Sequence, residues 1–139
     1  MRHEFSIRIY YEDTDAAGIV YHARYLHFAD RARTELLRQN GISLQQLAEE
    51  EGRVFLVRSL TVHYRKPIFL DDEITVCSEE METSISRSII RQVIERNGEE
   101  CARLEVELVC LDRATNRPGR FPPQIVSALG AYRATHLAR

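Results

Sequence analysis

Apolar positions recur with a helical period in one stretch of the chain, from about His22 to Gln39. One face of this predicted helix is apolar, as expected for a helix that packs on a sheet. At 1.5 Å per residue it would be about 27 Å long, and Asn40-Gly41 is a common way for a helix to end. It is the one long helix that the sequence predicts, and its apolar face consists of Tyr25, Phe28, Ala29, Ala32 and Leu36.

Apolar and polar residues alternate in five other segments, as they do in half-buried strands. Asn97-Gly98, between the last two, predicts a hairpin because both residues tolerate the positive φ of a tight turn. Shorter helices are predicted at residues 43–50, with Ser43 as the cap, and from Gln124 to about His136. The five predicted strands are residues 3–11, 54–64, 73–82, 85–96 and 100–111, and residues 112–123 are predicted to form a loop.

This order of elements predicts a single α+β domain over residues 1–139. The expected architecture is a five-stranded antiparallel sheet, strongly curved and wrapped around the long helix, with a short C-terminal helix. One helix cannot cover both faces of five strands, so an edge and the outer face of the sheet remain exposed. A homodimer is expected on that ground alone.

Composition narrows the classes of function. Hydrophobic residues make up 44% and charged residues 29% of the chain, as in folded soluble domains. The net charge of −2 provides no basic field for nucleic acid. Lys66 is the only lysine beside 18 arginines, which reflects either codon bias or a need for planar donors to phosphate. No signal peptide or membrane span is apparent, so the cytoplasm is the expected compartment.

The spacing of possible metal ligands matches no common site. The acidic segment DTDAAG resembles the start of a calcium loop, but Ala17 and Arg24 occupy positions that need oxygen ligands. His22 and His27 are five residues apart and diverge on a helix. No phosphate-binding loop, GxGxxG or G-x-S-x-G motif is present. The cysteines lack CxxC spacing and are expected to be reduced thiols that pack as small apolar residues; they are Cys77, Cys101 and Cys110.

The segment with the richest chemistry is YYEDTDAAGIVYHARYLHFADRARTELLR, residues 10–38, which joins the first predicted strand to the long helix. A helix N-terminus carries unpaired N–H groups and positive potential, and can stabilise an oxyanion. Asp13 and Asp15 supply carboxylates beside it, for attack on a carbonyl or for activation of water. Gly18 would let a substrate approach the backbone, and Tyr11 and Tyr21 add phenols. The alternative is a capped acidic surface turn.

This segment, with RVFLVRSLTVHYRKPIFLDD at residues 53–72, resembles the hotdog-fold acyl-CoA thioesterases of the 4-hydroxybenzoyl-CoA thioesterase class. Within the class it is most similar to the bacterial Tol-Pal-associated (YbgC-type) group. The pattern D-x-D-x-x-G-(I/V)-V-(Y/F)-x-x-x-Y runs from Asp13 to Tyr25, and the resemblance covers nearly the whole chain.

The resemblance implies the hotdog fold and hydrolysis of an acyl-CoA thioester to the free acid and CoA. It implies that Asp15 is the catalytic carboxylate, either nucleophile or general base, with Tyr11 and His22 beside it. The backbone N–H near His22 would polarise the thioester carbonyl, while its imidazole either assists or only occupies the helix start. The resemblance also implies a site at a dimer interface, often in a dimer of dimers, and no metal or organic cofactor.

Substrate contacts are less specific in the sequence. CoA phosphates call for planar arginine donors, and the candidates lie on or near predicted strands. The acyl group would need an aromatic tunnel, although the same aromatic residues equally suit the core. The candidate phosphate ligands are Arg58, Arg65, Arg87 and Arg91, and the candidate lining residues are Tyr21, Tyr25, Phe28, Phe55 and Tyr64.

Two other functions remain open at this level. A hydratase or dehydratase acting on acyl thioesters would use Asp15 and His22 as an acid–base pair, although the D-x4-H spacing associated with hotdog hydratases is absent. A non-catalytic protein would bind an acyl carrier protein or a cell-envelope factor through its exterior. The Tol-Pal link of the group rests on family naming and gene context.

Overall fold

A computed structural model describes residues 1–135 of the chain. Its centre is one antiparallel sheet in the spatial order β1-β3-β4-β5-β2, with a two-residue β6 paired to β5. The five predicted strands are confirmed as an antiparallel sheet, and β6 lies inside the segment that was predicted to be loop. The strands are β1 (His3–Arg8), β2 (Arg53–Tyr64), β3 (Glu73–Thr83), β4 (Arg87–Arg96), β5 (Glu99–Asp112) and β6 (Arg117–Pro118).

The helices are shorter than the sequence pattern predicts. The main helix, α1, spans Arg24–Gln39, so it has 16 residues and begins two residues after His22. A single turn, α2 (Leu44–Gln46), is capped by the Ser43 hydroxyl and runs into a π-helical turn at Leu47–Glu51. The last helix, α3 (Pro123–Gly130), ends well before His136, which lies outside the described residues.

The first strand also ends earlier than predicted. β1 stops at Arg8, and Tyr11–Asp13 form a short 3-10 turn instead of the end of a strand. The turn is possible because the Asp13 carboxylate accepts the N–H of Tyr10 at 2.8 Å, which bends the chain back on itself. This bend directs the following loop toward the start of α1.

Helix α1 packs on one face of the sheet through its apolar stripe. All five predicted stripe residues are buried, and Ala29 and Ala32 are fully inaccessible. Two alanines at the contact allow the helix backbone to approach the strands closely. The strand residues opposite belong to the same core cluster and are mostly β-branched or Leu: Ile74, Val76, Ile94, Leu104 and Val106.

A second apolar cluster closes the other end of α1. Ile125 and Leu129 of α3 pack there with Leu36 and Leu37 of α1. Pro123 occupies the first turn of α3, where a missing N–H costs nothing. α3 therefore covers the part of the core that the sheet leaves open.

The hairpin and the cysteines agree with the sequence predictions. Asn97 and Gly98 have φ values of 53° and 78° and connect β4 to β5. The three cysteines are buried, and none forms a disulfide within the described residues. Burial raises the pKa of each thiol, that of Cys77 to about 12, so they stay protonated near neutral pH.

Within residues 1–135 no helix combines the length and apolar character needed to cross a bilayer.

The segment after α3 is fastened to a buried carboxylate. Glu80 of β3 is 1% exposed, and its Oε1 accepts a hydrogen bond from Nε of Arg133 at 2.8 Å. The backbone adds two bonds, from the N–H of Glu80 to the carbonyl of Tyr132 and from the N–H of Ala134 to the carbonyl of Glu80. This clasp holds residues 132–134 against the sheet.

We expect Arg133→Ala to lower the free energy of unfolding by about 1–3 kcal/mol, because it leaves the Glu80 carboxylate buried beside fewer donors. Arg38→Ala is the matched control: its side chain has the same 63% exposure and pairs with Glu35 at the helix surface. Urea denaturation of both variants measures the difference. Equal stability of the two variants would show that the clasp contributes nothing.

Candidate active site

The loop between β1 and α1 forms a very small hairpin with Asp15 at its tip. Thr14 pairs with Val20 in an isolated antiparallel bridge. Inside it, the N–H of Asp15 donates to the carbonyl of Ile19 at 2.8 Å, and the N–H of Gly18 donates to the carbonyl of Asp15 at 3.0 Å. Gly18 has φ of +83°, with open space where a Cβ would stand. The positive φ explains why a glycine occupies position 18. The missing side chain also leaves the tip of the hairpin unobstructed.

Asp15 presents a solvent-exposed carboxylate. Its Oδ1 accepts the N–H of Ala17 at 2.8 Å, which fixes the side chain against its own turn. Its Oδ2 makes no hydrogen bond to any residue that the structure describes. One oxygen is thus used to orient the group, and the other is free to react.

Asp13, the rival carboxylate, is buried and fully engaged. Its side chain is 6% exposed. Oδ1 accepts hydrogen bonds from Nε and Nη2 of Arg24 at 3.0 and 2.7 Å, and Oδ2 accepts the N–H of Tyr10. The carbonyl of Asp13 also accepts the N–H of Tyr21 at 2.9 Å. Asp13 therefore joins the loop to the first residue of α1 and has no free oxygen for chemistry.

The start of α1 offers unpaired backbone donors. Ala23 precedes the helix and has no side-chain cap. The N–H groups of His22 and Ala23 have no acceptor among residues 1–135, whereas the N–H of Arg24 donates to the carbonyl of Tyr21 at 2.8 Å. Free N–H groups at a helix N-terminus favour a negative charge in front of them.

A groove of about 310 Å³ opens beside this helix start. Tyr25 and Tyr64 meet edge to face along it, with ring centroids 5.0 Å apart. Burial raises the pKa of Tyr25 to about 12 and also raises that of Tyr64, so both phenols stay protonated. The lining residues are Ile19, Val20, His22, Tyr25, Tyr64, Arg65, Lys66 and Pro67.

No hydrogen bond joins Tyr11 or the His22 imidazole to the Asp15 carboxylate within the described residues. Tyr11 is 83% exposed on the 3-10 turn. The His22 ring is exposed and contacts the Tyr21 ring, with centroids 4.5 Å apart. The His22 backbone lies at the helix start, where its N–H has no acceptor within residues 1–135 and its carbonyl accepts a hydrogen bond from Tyr64.

The four candidate arginines occupy two places. Arg65 lies at the groove and pairs with Glu100 at 2.6 Å. The other three lie on the opposite face of the sheet from α1, because their partners Glu105 and Glu107 alternate with the core residues Leu104 and Val106. They are Arg58 and Arg87, which share Glu107, and Arg91, which pairs with Glu105.

Two features of the site escaped the sequence reasoning. Lys66 lies at the rim of the groove beside Arg65. Its being the only lysine in the chain could have drawn attention to this position. The hydroxyl of Tyr64 donates to the carbonyl of His22 at 2.9 Å. No local pattern reveals that bond, since 42 residues separate its partners.

A comparison with families of known proteins identifies the family of this chain. The model of the thioesterase-like superfamily matches residues 10–129. Among curated proteins, acyl-CoA thioesterase YbgC of Haemophilus influenzae is 40% identical over 124 residues, which is 89% of this chain and 91% of that protein. Acyl-CoA thioester hydrolase YbgC of Escherichia coli O6:H1 is 38% identical over 87% of this chain and 90% of the relative.

Solved structures agree with the sequence comparison. A probable thioesterase from Bartonella henselae superposes with a TM-score of 0.83 and 32% identity, covering 88% of this chain and all of that one. The chain therefore belongs to the thioesterase-like superfamily and, within it, to the YbgC group.

We expect Asp13→Asn to destabilise the fold by about 1–3 kcal/mol, because Arg24 loses a charged partner in a buried position. Asp30→Asn is the control: Asp30 is exposed on α1, pairs with Arg33 at 3.3 Å, and should cost less than about 0.5 kcal/mol. Chemical denaturation compares the two variants. If Asp13→Asn is as stable as the control, Asp13 does not fasten the loop.

Proposed function

We propose that this protein hydrolyses an acyl-CoA thioester to the free acid and CoA, with Asp15 as the reacting carboxylate. The observation that carries the proposal is the Asp15 carboxylate, whose Oδ2 has no partner within residues 1–135. Its loop is joined through Asp13 to Arg24 at the start of α1, where the N–H groups of His22 and Ala23 also have no acceptor among these residues. The proposal is supported by the relatives from Haemophilus influenzae and Escherichia coli, which are an acyl-CoA thioesterase and an acyl-CoA thioester hydrolase.

The arrangement suits the electronic demands of thioester hydrolysis. The thioester carbonyl oxygen would accept hydrogen bonds from the N–H groups of His22 and Ala23, which stabilise the oxyanion of the tetrahedral intermediate. One such donor contributes on the order of 10²–10³ in rate. Base catalysis by a positioned carboxylate contributes on the order of 10²–10⁴.

Asp15 has two ways to act. As a nucleophile, its oxygen bonds to the acyl carbon, the C–S bond breaks and CoA leaves; water then cleaves the acyl-aspartyl anhydride. As a base, Asp15 takes a proton from water while the water oxygen bonds to the acyl carbon, and the C–S bond breaks in the same way. In both routes the thiolate of CoA takes up a proton on release, and neither route requires a metal or an organic cofactor.

Arg65 and Lys66 are the proposed first contacts for the CoA phosphates. Both lie at the rim of the groove that begins at His22, and both are about half exposed. Arg58, Arg87 and Arg91 lie on the other face of the sheet, so within one chain they are distant from this groove. Their proposed role in CoA binding therefore depends on how further copies of the chain assemble.

The acyl group would lie along the phenol rings of Tyr25 and Tyr64. The groove is open to solvent in the single chain, so one wall of an acyl pocket is missing. We propose that a second copy supplies it. The observation behind this is β2, a 12-residue strand at the edge of the sheet with Leu56 and Val57 50% and 41% exposed. Long exposed edge strands normally pair with another strand.

We expect Asp15→Asn to reduce release of CoA thiol by on the order of 10²–10⁴ while leaving the melting temperature unchanged, since the amide cannot act as nucleophile or base. A panel of acyl-CoA substrates of increasing chain length, with free thiol as the readout, measures it. Asp30→Asn, the same change at an exposed position on α1, serves as the control.

Retention of wild-type turnover by purified Asp15→Asn would rule out this assignment. Formation of an enoyl product without free thiol would instead identify a hydratase or dehydratase. His22→Ala keeps the backbone N–H and therefore reports on the imidazole alone.

We expect the wild-type protein to sediment at least as a dimer, and Val57→Glu to weaken that dimer roughly 100-fold by placing like charges on adjacent edges. Sedimentation equilibrium of both proteins tests this. Leu44→Glu, at an exposed apolar residue on α2, is the control and should leave the assembly intact. A fully active wild-type monomer would exclude a site shared between subunits.

A further inference from the structure

The hydroxyl of Tyr64 connects the edge strand of the sheet to the start of α1. Tyr64 is the last residue of β2. Its Oη donates a hydrogen bond of 2.9 Å to the carbonyl oxygen of His22. This is the one side-chain hydrogen bond to the His22–Ala23 peptide among the described residues.

The carbonyl that Tyr64 holds belongs to the same peptide group as the N–H of Ala23. A peptide group is planar and trans, so fixing the direction of its C=O also fixes the direction of its N–H. A donor on the oxygen polarises the group further and strengthens the N–H as a donor. That N–H has no acceptor within residues 1–135.

The phenol is itself held in place by its surroundings. Its ring meets the Tyr25 ring edge to face at 5.0 Å, with an interplanar angle of 88°. Tyr25 is 4% exposed and belongs to the main core cluster. The backbone of Tyr64 pairs with Ala102 of β5, which is fully buried. The hydroxyl is thus attached to rigid parts of the fold, while the peptide that it holds precedes the regular helix.

We infer that Tyr64 is a positioning residue for thioester hydrolysis, which aims the Ala23 N–H at the oxyanion through the carbonyl of His22. This inference rests on the proposed function, because it assigns a means of holding the oxyanion donors. It differs from a role in lining the acyl pocket: the ring would serve the acyl group, whereas the hydroxyl serves the helix start.

The variant Tyr64→Phe separates these two roles, because it keeps the ring and removes only the hydroxyl. We expect kcat to fall about 3- to 10-fold, the effect of losing one hydrogen bond that matters in the transition state. We expect the Kd for an S-alkyl-CoA thioether, which lacks the thioester carbonyl, to remain within twofold of the wild-type value. Isothermal titration calorimetry gives this Kd, and the thiol-release assay gives kcat.

Tyr132→Phe is the matched control. It removes another tyrosine hydroxyl, one that lies 3.4 Å from Nδ2 of Asn40 at the far end of α1. Its kcat should equal that of the wild type. A fall in kcat for Tyr64→Phe alone, at an unchanged thioether Kd, supports the inference, since a general loss of rigidity would not spare thioether binding.

A wild-type kcat in Tyr64→Phe overturns the inference. If kcat is unchanged and the Kd for the thioether rises, Tyr64 is a pocket residue instead. In both cases an inactive Asp15→Asn would leave the proposed function standing. Absence of thiol release from every acyl-CoA by the wild type would overturn the proposed function and this inference together.

Discussion

The buried ion pair between Asp13 and Arg24 is the contact on which the geometry of the site depends. Nothing in β1 alone would bring the following loop back to the helix, because the strand ends at Arg8 and the chain then turns. Asp13 receives the N–H of Tyr10 on one oxygen and the guanidinium of Arg24 on the other. A carboxylate used in this way is unavailable for catalysis, and it leaves Asp15, two residues on, with a free oxygen at the tip of the hairpin.

The orientation of α1 is set by polar contacts as well as by its apolar stripe. Gln92 of β4 is fully buried; its Nε2 donates to the carbonyl of Ala29 and to Oγ of Ser78, and its Oε1 accepts from Nη1 of Arg33. Burial of its guanidinium lowers the pKa of Arg33. Apolar packing alone tolerates some rotation of a helix, whereas directional bonds do not. These polar contacts therefore help to fix the rotation of α1 about its own axis.

The sequence predicts the fold better than it predicts the site. Strands are readable because each has one buried face, and Asn97-Gly98 specifies its turn locally. The start of α1 is less readable: His22 fits the helical period, but its carbonyl is bonded to Tyr64 and the regular helix begins at Arg24. The positions of Arg87 and Arg91 follow from strand alternation once the register is known. In the proposed assembly, whether they contact CoA would depend on contacts between copies, which no pattern within one chain encodes.

β2, which lies at an edge of the sheet, also reaches the proposed oxyanion donors at the start of α1. β2 begins near the second core cluster, runs along the border of the sheet, and ends at Tyr64, where its hydroxyl meets the helix start. Pairing of this edge with a second copy would rigidify the strand, and with it the residue that orients the His22–Ala23 peptide. Assembly would then do more than close the open side of the groove. In a chain of 139 residues, coupling the proposed oxyanion donors to a subunit boundary would let one strand serve both the interface and the chemistry.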